Sequence, residues 1–214
     1  MIFEIRAVGP FYKNGYLLGC EETGDGVVID PGDEIEDLIG LALSHRLTIR
    51  HILLTHGHVD HVAGVGRAGA ASGAPVYLHR GDLPLYQTAV QQGEFFGLSV
   101  QPPPPVDRFY GECPPIRFGA HEVQAFHTPG HTPGGVCLYV SRPGRADKRL
   151  FVGDTLFAGS IGRTDLPGGD HDKLIAAIRD VLFKFGDEAE VYPGHGPKTT
   201  IGQERRTNPF LTRL

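Results

Sequence analysis

Thr55-His56-Gly57-His58-Val59-Asp60-His61 places three histidines and a carboxylate on seven consecutive residues, directly after the apolar run Ile52-Leu53-Leu54. A short apolar run followed by Gly-bearing sequence reads as a buried strand. The ligand-rich segment therefore stands on the loop at that strand's C-terminal end, where open α/β folds hold their ligands. Neutral imidazole and carboxylate suit divalent zinc, iron or manganese. A single loop histidine is ordinarily a solvated group. Four ligand-type groups crowded onto one turn point instead to a metal site.

A chain of 214 residues accommodates one large domain or two small ones around a sizeable core. Its 40% hydrophobic and 21% charged residues match a soluble globular composition, and a formal net charge of -5 offers no attraction to nucleic acid or an anionic membrane. No apolar run approaches the roughly 20 residues of a membrane span. The stretch Met1 to Val8 lacks the charged-then-apolar pattern of an export signal. Cys20, Cys113 and Cys137 are an odd number without CxxC spacing, so neither a disulfide framework nor a thiolate zinc site is indicated. The compartment expected is a reducing cytoplasm. The 30 glycines and 17 prolines, without low-complexity sequence, predict many short elements joined by functional loops.

Along the chain, Met1 to Val8 alternates as a strand, and Tyr16 to Cys20 and Gly26 to Asp30 read as the next two. Ile35, Leu38, Ile39, Ala42 and Leu43 share one face of a helix beginning near Asp33. The strand Ile49 to Leu54 and the histidine loop follow, then a helix over 62–72 and a strand over 75–78. That helix contains Gly64-Val65-Gly66-Arg67-Ala68-Gly69, a literal G-x-G-x-x-G. Because the histidine loop intervenes between strand and glycines, these residues read as small groups permitting close helix packing, not as a nucleotide site. In 79–115, Gly81 to Gln91 carries a helical pattern and Pro102 to Pro105 is extended. Phe95-Phe96 either lines a pocket beneath a lid or packs into the core. Strands resume at 116–118, 122–127, 136–140 and 150–152. An amphipathic helix through Leu174 to Phe185, capped by Asp170, precedes a last strand at 190–192 and a terminal helix over 199–207. Strand-rich and helix-bearing stretches thus occur twice, which suits two sheets packed face to face with helices outside. No composition shift marks a linker, so residues 1–214 are expected to form a single domain.

Three further segments set a ligand-type side chain on a Gly-rich turn after a strand: His127-Thr128-Pro129-Gly130-His131, Val152-Gly153-Asp154 and Tyr192-Pro193-Gly194-His195-Gly196. Together they supply what the first cluster lacks for two ions. His56, His58 and His131 are assigned to one ion, Asp60, His61 and His195 to the other, and Asp154 to the bridge, leaving room for a shared water. His45, His51, His79, His121, His127 and His171 fit no such turn and read as surface or structural groups.

These motifs resemble those of the metallo-β-lactamase-fold hydrolases, whose H-x-H-x-D-H signature corresponds to His56 through His61. The later family ligands match His131, Asp154 and His195, and Asp30 occupies the family's supporting-aspartate position. The resemblance covers nearly the whole chain and implies a four-layer αββα sandwich with a dinuclear centre at one edge. Within the family, Gly153 to Phe157, Gly159 to Asp165 and Pro193 to Pro197 look like the glyoxalase II branch, as does the ending Glu204 to Leu211. More narrowly, they look like its short, single-domain bacterial members. That likeness implies hydrolysis of hydroxyacyl-glutathione thioesters such as S-lactoylglutathione, with two divalent cations as cofactors, zinc first and iron or manganese as alternatives. The chain ends soon after His195, so the C-terminal helical domain that holds glutathione in longer members is not expected. The Lys and Tyr that contact glutathione there are replaced by Arg163 and Asp165. Arg163 either pairs with a substrate carboxylate or with its neighbour Asp165 or Asp170.

The expected chemistry is attack on a thioester carbonyl by a hydroxide oriented by Asp60 and Asp154. A thiolate, with a conjugate-acid pKa of about 8.5, departs without a proton, which suits a site whose histidines are all committed as ligands. An amide would need its nitrogen protonated, so thioester or lactone is favoured over peptide. A second reading is a persulfide dioxygenase of the same fold, using one ferrous ion on His56, His131 and Asp154; such enzymes share a segment like Gly162-Arg163-Thr164-Asp165. The partner expected is a small-molecule thioester, with no nucleic acid and no membrane.

Overall fold

The structure, a computed structural model, describes residues 1–145 and 148–212. Its first sheet contains β1 (Ile2–Val8), β2 (Lys13–Gly19), β3 (Asp25–Ile29), β4 (Thr48–Leu53), β5 (Val76–Leu78) and β6 (Arg108–Phe109), in that order. The pairs β1/β2 and β2/β3 are antiparallel, whereas β3 to β6 run parallel. The second sheet uses β7 (Ile116–Phe118), β8 (His121–His127), β9 (Val136–Ser141) and β10 (Arg149–Gly153). A hairpin of β11 (Leu156–Phe157) and β12 (Ser160–Ile161) follows, then β13 (Glu190–Pro193) and β14 (Thr199–Thr200). The order in this sheet is β14-β13-β10-β9-β8-β7. The helices are α1 (Ile35–Ser44), α2 (Val59–Val62), α3 (Val65–Ser72), α4 (Leu83–Gln87), α5 (Ala89–Phe95), α6 (His171–Asp180) and α7 (Ile201–Thr207).

Successive side chains of a strand face opposite ways, and here both faces are covered. On β2, β3 and β4, Leu17, Val28 and Ile52 pack with Ile35 and Leu38 of α1 and Val65 of α3. Their neighbours Leu18, Val27, Ile29 and Leu53 turn the other way and meet Val136, Leu138 and Phe151 of the second sheet. Cys137, Leu150, Val152 and Val191 then face Leu174 and Ile178 of α6 and Ile201 of α7. Three apolar seams separating four layers give the αββα sandwich. No described helix is long and apolar enough to cross a membrane.

The expected helix over 62–72 is two helices, because the chain breaks at Ala63-Gly64. A Cβ on Gly64 would collide with the Gly32 carbonyl oxygen, so the first glycine of the G-x-G-x-x-G run serves close packing. Asp60 and His61 lie on α2 rather than on a loop. The two-residue strands β6, β11, β12 and β14 were not anticipated, being shorter than any periodicity can register. Asp170 caps α6 as expected, its side chain accepting from Lys173 N–H.

Candidate metal centre

All seven candidate ligands stand at or just beyond the C-terminal ends of β4, β8, β10 and β13. Because β8 and β9 are antiparallel, β9 and β10 antiparallel, and β10 and β13 parallel, β8, β10 and β13 run to the same edge. There the four turns converge. Three sets of ligand-type atoms each lie within 4.8 Å of one another: His56, His58 and His131; His56, His61 and Asp154; and Asp60, His61 and His195. His58 Nδ1 and His131 Nε2 are 2.9 Å apart. Asp154 Oδ2 lies 3.6 Å from His131 Nε2 and 3.5 Å from His195 Nε2, between the two halves. Its Oδ1 is 3.4 Å from His61 Nε2, and Asp60 Oδ2 is 3.1 Å from His195 Nε2.

The far side of each ring is held by the fold. His131 Nδ1 donates to the Arg163 carbonyl at 2.8 Å, and His195 Nδ1 to the Phe11 carbonyl at 3.1 Å. His61 Nδ1 donates to Asp30 Oδ2 at 2.9 Å. His56 Nδ1 donates to the Thr55 hydroxyl at 3.1 Å, and that hydroxyl donates in turn to Asp30. With the far nitrogen protonated, each ring turns the lone pair of its Nε2 inward. Asp30 itself has φ 47, a left-handed conformation that places its carboxylate under Thr55 and His61. The Pro193–Gly196 turn is pinned by β2: Asn14 Nδ2 donates to the Pro193 and Gly196 carbonyls, and Tyr16 Oη to Pro193. A Cβ on Gly194 would strike the Asp154 carboxylate, so only glycine lets this turn approach.

His56 Nε2, His61 Nε2 and Asp154 Oδ1 are buried with no hydrogen-bond partner among the described residues. Buried polar atoms are seldom left so. Three inward-facing acceptors amid three histidines and two further carboxylate oxygens form a donor set that fits two divalent cations.

Burial and the surrounding imidazoles hold His56 well below its usual range, and burial with His131 pushes His58 down to about 4. Burial opposes charge on His61 too, but Asp60, Asp30 and Asp154 outweigh it and push that ring up to about 10. His195 is raised in the same way, against burial, by Asp60 and Asp154. Asp60 and Asp154 are lowered despite burial, chiefly by His61. Lys13, which no sequence motif marks, is fully buried beneath the site and donates from Nζ to the Asp30 carbonyl. Burial brings its ammonium down to about 8 against the pull of Asp30, Asp60 and Asp154.

The centre opens on a cavity of about 630 Å³ whose lining includes His58, Asp60, His131, Asp154 and His195. Phe11, Phe95, Phe96, Leu85, Leu166 and Pro167 make the rest of its wall largely apolar. Phe95 is 82% exposed, so the aromatic pair is pocket wall and not core. Arg163 reaches this wall, but its guanidinium is engaged bidentately by Asp165, with both hydrogen bonds at 2.7 Å. Its neighbour, and not a free space awaiting a carboxylate, holds it in this structure. His127, four residues before His131, lies outside the ligand sets and stacks on His79 with ring centroids 4.2 Å apart.

Fold and site together define a metallo-hydrolase architecture: an αββα sandwich with histidine and aspartate ligands gathered at one edge of its sheets. The chain belongs to the metallo-beta-lactamase superfamily, which residues 8–195 match. The hydroxyacylglutathione hydrolase GloC of Haemophilus influenzae is 37% identical over 99% of this chain and 98% of its own length. Among solved structures, BLEG-1 B3 metallo-beta-lactamase superposes with a TM-score of 0.88 at 38% identity, covering 99% of this chain and all of that one. TTHA1623 in a di-iron-bound form gives 0.83 at 44% identity, covering 97% and 100%. ETHE1 from Myxococcus xanthus gives 0.79 at 28% identity, covering 100% and 85%.

Proposed function

We propose that the protein is a metal-dependent thioester hydrolase acting on substrates of the hydroxyacyl-glutathione type. Its ligands would be His56, His58 and His131 for one ion and Asp60, His61 and His195 for the other, with Asp154 between them. Two divalent cations at such a centre supply an acidified water and polarisation of the carbonyl it attacks. The protein's own part is orientation. Asp60 and Asp154 are the acceptors positioned to hold that water's proton, and the apolar wall excludes bulk solvent from the acyl carbon.

The observation that carries the reading is the composition of the cavity wall. Every histidine lining it, His58, His131 and His195, belongs to the ligand set, and its remaining polar groups include Thr88, Gln91, Gln92 and Arg163. None of these four donates a proton readily near neutral pH. A leaving group that departs as an anion, as a thiolate does, therefore suits this wall, whereas an amide nitrogen would need the proton held at Asp60 or Asp154. The name of the Haemophilus relative supports the substrate class, and the di-iron form of TTHA1623 supports two ions.

A second reading, the one-iron persulfide dioxygenase of the same fold, draws on the Gly162–Asp165 segment and the likeness to ETHE1. One experiment separates them. Protein loaded with zinc, iron or manganese is expected to release thiol from S-lactoylglutathione, and Asp154→Ala to abolish turnover and lower bound metal. Oxygen uptake with glutathione persulfide by a one-iron protein, without thiol release, would transfer the chemistry to the second reading. A fully active Asp154→Ala variant would refute the ligand assignment.

A further inference from the structure

Asp82 is fully buried, yet it belongs to none of the ligand sets and is not part of the cavity wall. It ends the short turn Arg80–Asp82 after β5. Its Oδ2 accepts from Gly57 N–H at 2.9 Å and from the Thr132 hydroxyl at 2.7 Å, while its Oδ1 accepts from Gly134 N–H. Gly57 stands between His56 and His58, and Thr132 follows His131. One side chain thus joins the two loops that supply His56, His58 and His131.

The close fit of the turn is a second, independent observation. A Cβ on Gly57 would lie 3.0 Å from the Asp82 carbonyl oxygen and from Tyr86 N. A Cβ on Gly81 would lie 3.1 Å from Gly134 Cα and the Pro133 carbonyl oxygen. On Gly134 it would overlap the Asp82 backbone. Glycines on all three segments admit the turn as a wedge between the loops. A carboxylate this deep is costly unless its oxygens are satisfied. Here its three hydrogen bonds come from the loop that carries His56 and His58 and the loop that carries His131. Asp30 contacts His61 directly and His56 only through Thr55, and its hydrogen bonds come from the first loop and α2, not from the loop that carries His131.

We propose that Asp82 is a positioning residue for the His56/His58/His131 half of the centre, setting the separation of the two loops independently of Asp30. The proposal rests on the two-ion reading of the site and not on the identity of the substrate.

Asp82→Asn preserves shape but offers one acceptor oxygen, leaving at least one of the three donors facing an N–H. Cobalt(II) titration of the metal-free full-length chain, followed by visible absorption, reads the consequence in two backgrounds. His195→Ala breaks the Asp60/His61/His195 set and keeps His56/His58/His131 whole, and there Asp82→Asn is expected to weaken cobalt binding about 10- to 100-fold. His58→Ala breaks the His56/His58/His131 set and keeps Asp60/His61/His195 whole, and there the same change is expected to alter affinity less than twofold. Equal losses in both backgrounds would mean a general structural role and overturn the proposal, as would no loss in either. If Asp82→Asn does not fold, Thr132→Val removes one donor at nearly constant shape. A loss of a few-fold to tenfold confined to the His195→Ala background then supports the proposal, and no selective loss overturns it. If neither parent variant binds cobalt, the two-ion reading falls and this inference with it. If both bind and Asp82→Asn moves them alike, only the role of Asp82 falls.

Discussion

Asp30 Oδ2 lies 2.9 Å from His61 Nδ1, and both groups are buried. The same carboxylate accepts Thr55 N–H at 2.7 Å and the Thr55 hydroxyl at 2.6 Å. A carboxylate at a strand end thus takes three donors from the loop and helix that carry the first four candidate ligands, and directs two of their rings. An amide at this position has one acceptor oxygen and would set an N–H against at least one buried donor. Asp30→Asn is therefore expected to lower the stability of the metal-free protein by about 1–3 kcal/mol. It should also weaken metal binding at the His61 half about 10- to 100-fold. Denaturant titration and competitive chelation check these; unchanged values in both would remove Asp30 from this role.

The two halves of the centre should fill with different pH dependence. His58, held at about 4, and His56, well below its usual range, are already neutral at pH 7 and have no proton to surrender. His61, pushed up to about 10, and His195, also raised, must each lose one before they ligate. Apparent affinity at the Asp60/His61/His195 set should rise about tenfold per pH unit between pH 7 and 9 through His61 alone, while the other set changes little. The metal-free protein shows the converse. A raised histidine contributes its full stability below an unfolded pKa near 6.5 and loses it as pH rises toward the folded value. Its denaturation midpoint should fall from pH 6.5 to 8; above that Lys13, brought down to about 8 by burial, opposes the trend. Equal pH slopes for the two cobalt-binding steps would contradict the charge arrangement.

The layers and the ligand turns were legible because each announces itself locally. An apolar run ends, a glycine follows, and a histidine or aspartate stands on the turn, as in Val152-Gly153-Asp154. Asp30 was legible only through the family resemblance, since a lone Asp-Pro-Gly otherwise reads as a strand stop. Lys13 and Asp82 were not legible. Lys13 is one polar residue opening a strand, and Asp82 is one acid in a turn after His79. Each takes its role from chain far away, Asp30 in one case and Gly57 and Thr132 in the other, after the sheets have stacked. The break between α2 and α3 was hidden for a similar reason. Gly64 is tolerable within a helical pattern, and only its approach to Gly32 shows why the helix stops there.

Arg163 supplies the last prediction, because its partner in the structure is expendable. The Arg163–Asp165 pair has side chains 56% and 66% exposed, and an ion pair so wetted contributes little to stability. A substrate carboxylate entering the cavity would find a guanidinium already aimed along its wall, held by an acid it can displace. Asp165→Asn is expected to free Arg163 and lower KM for S-lactoylglutathione several-fold, with kcat and metal content unchanged. Arg163→Met should raise KM about tenfold, again without touching kcat, since a charge-assisted contact remote from the acyl carbon acts on binding and not on the chemical step. Steady-state kinetics on the two variants decides the matter. Should both leave KM unmoved, the carboxylates of the thiol carrier are not what the cavity recognises. Recognition would then fall to the wall of Phe11, Phe95 and Phe96, and thioesters with an apolar thiol arm would outcompete glutathione esters.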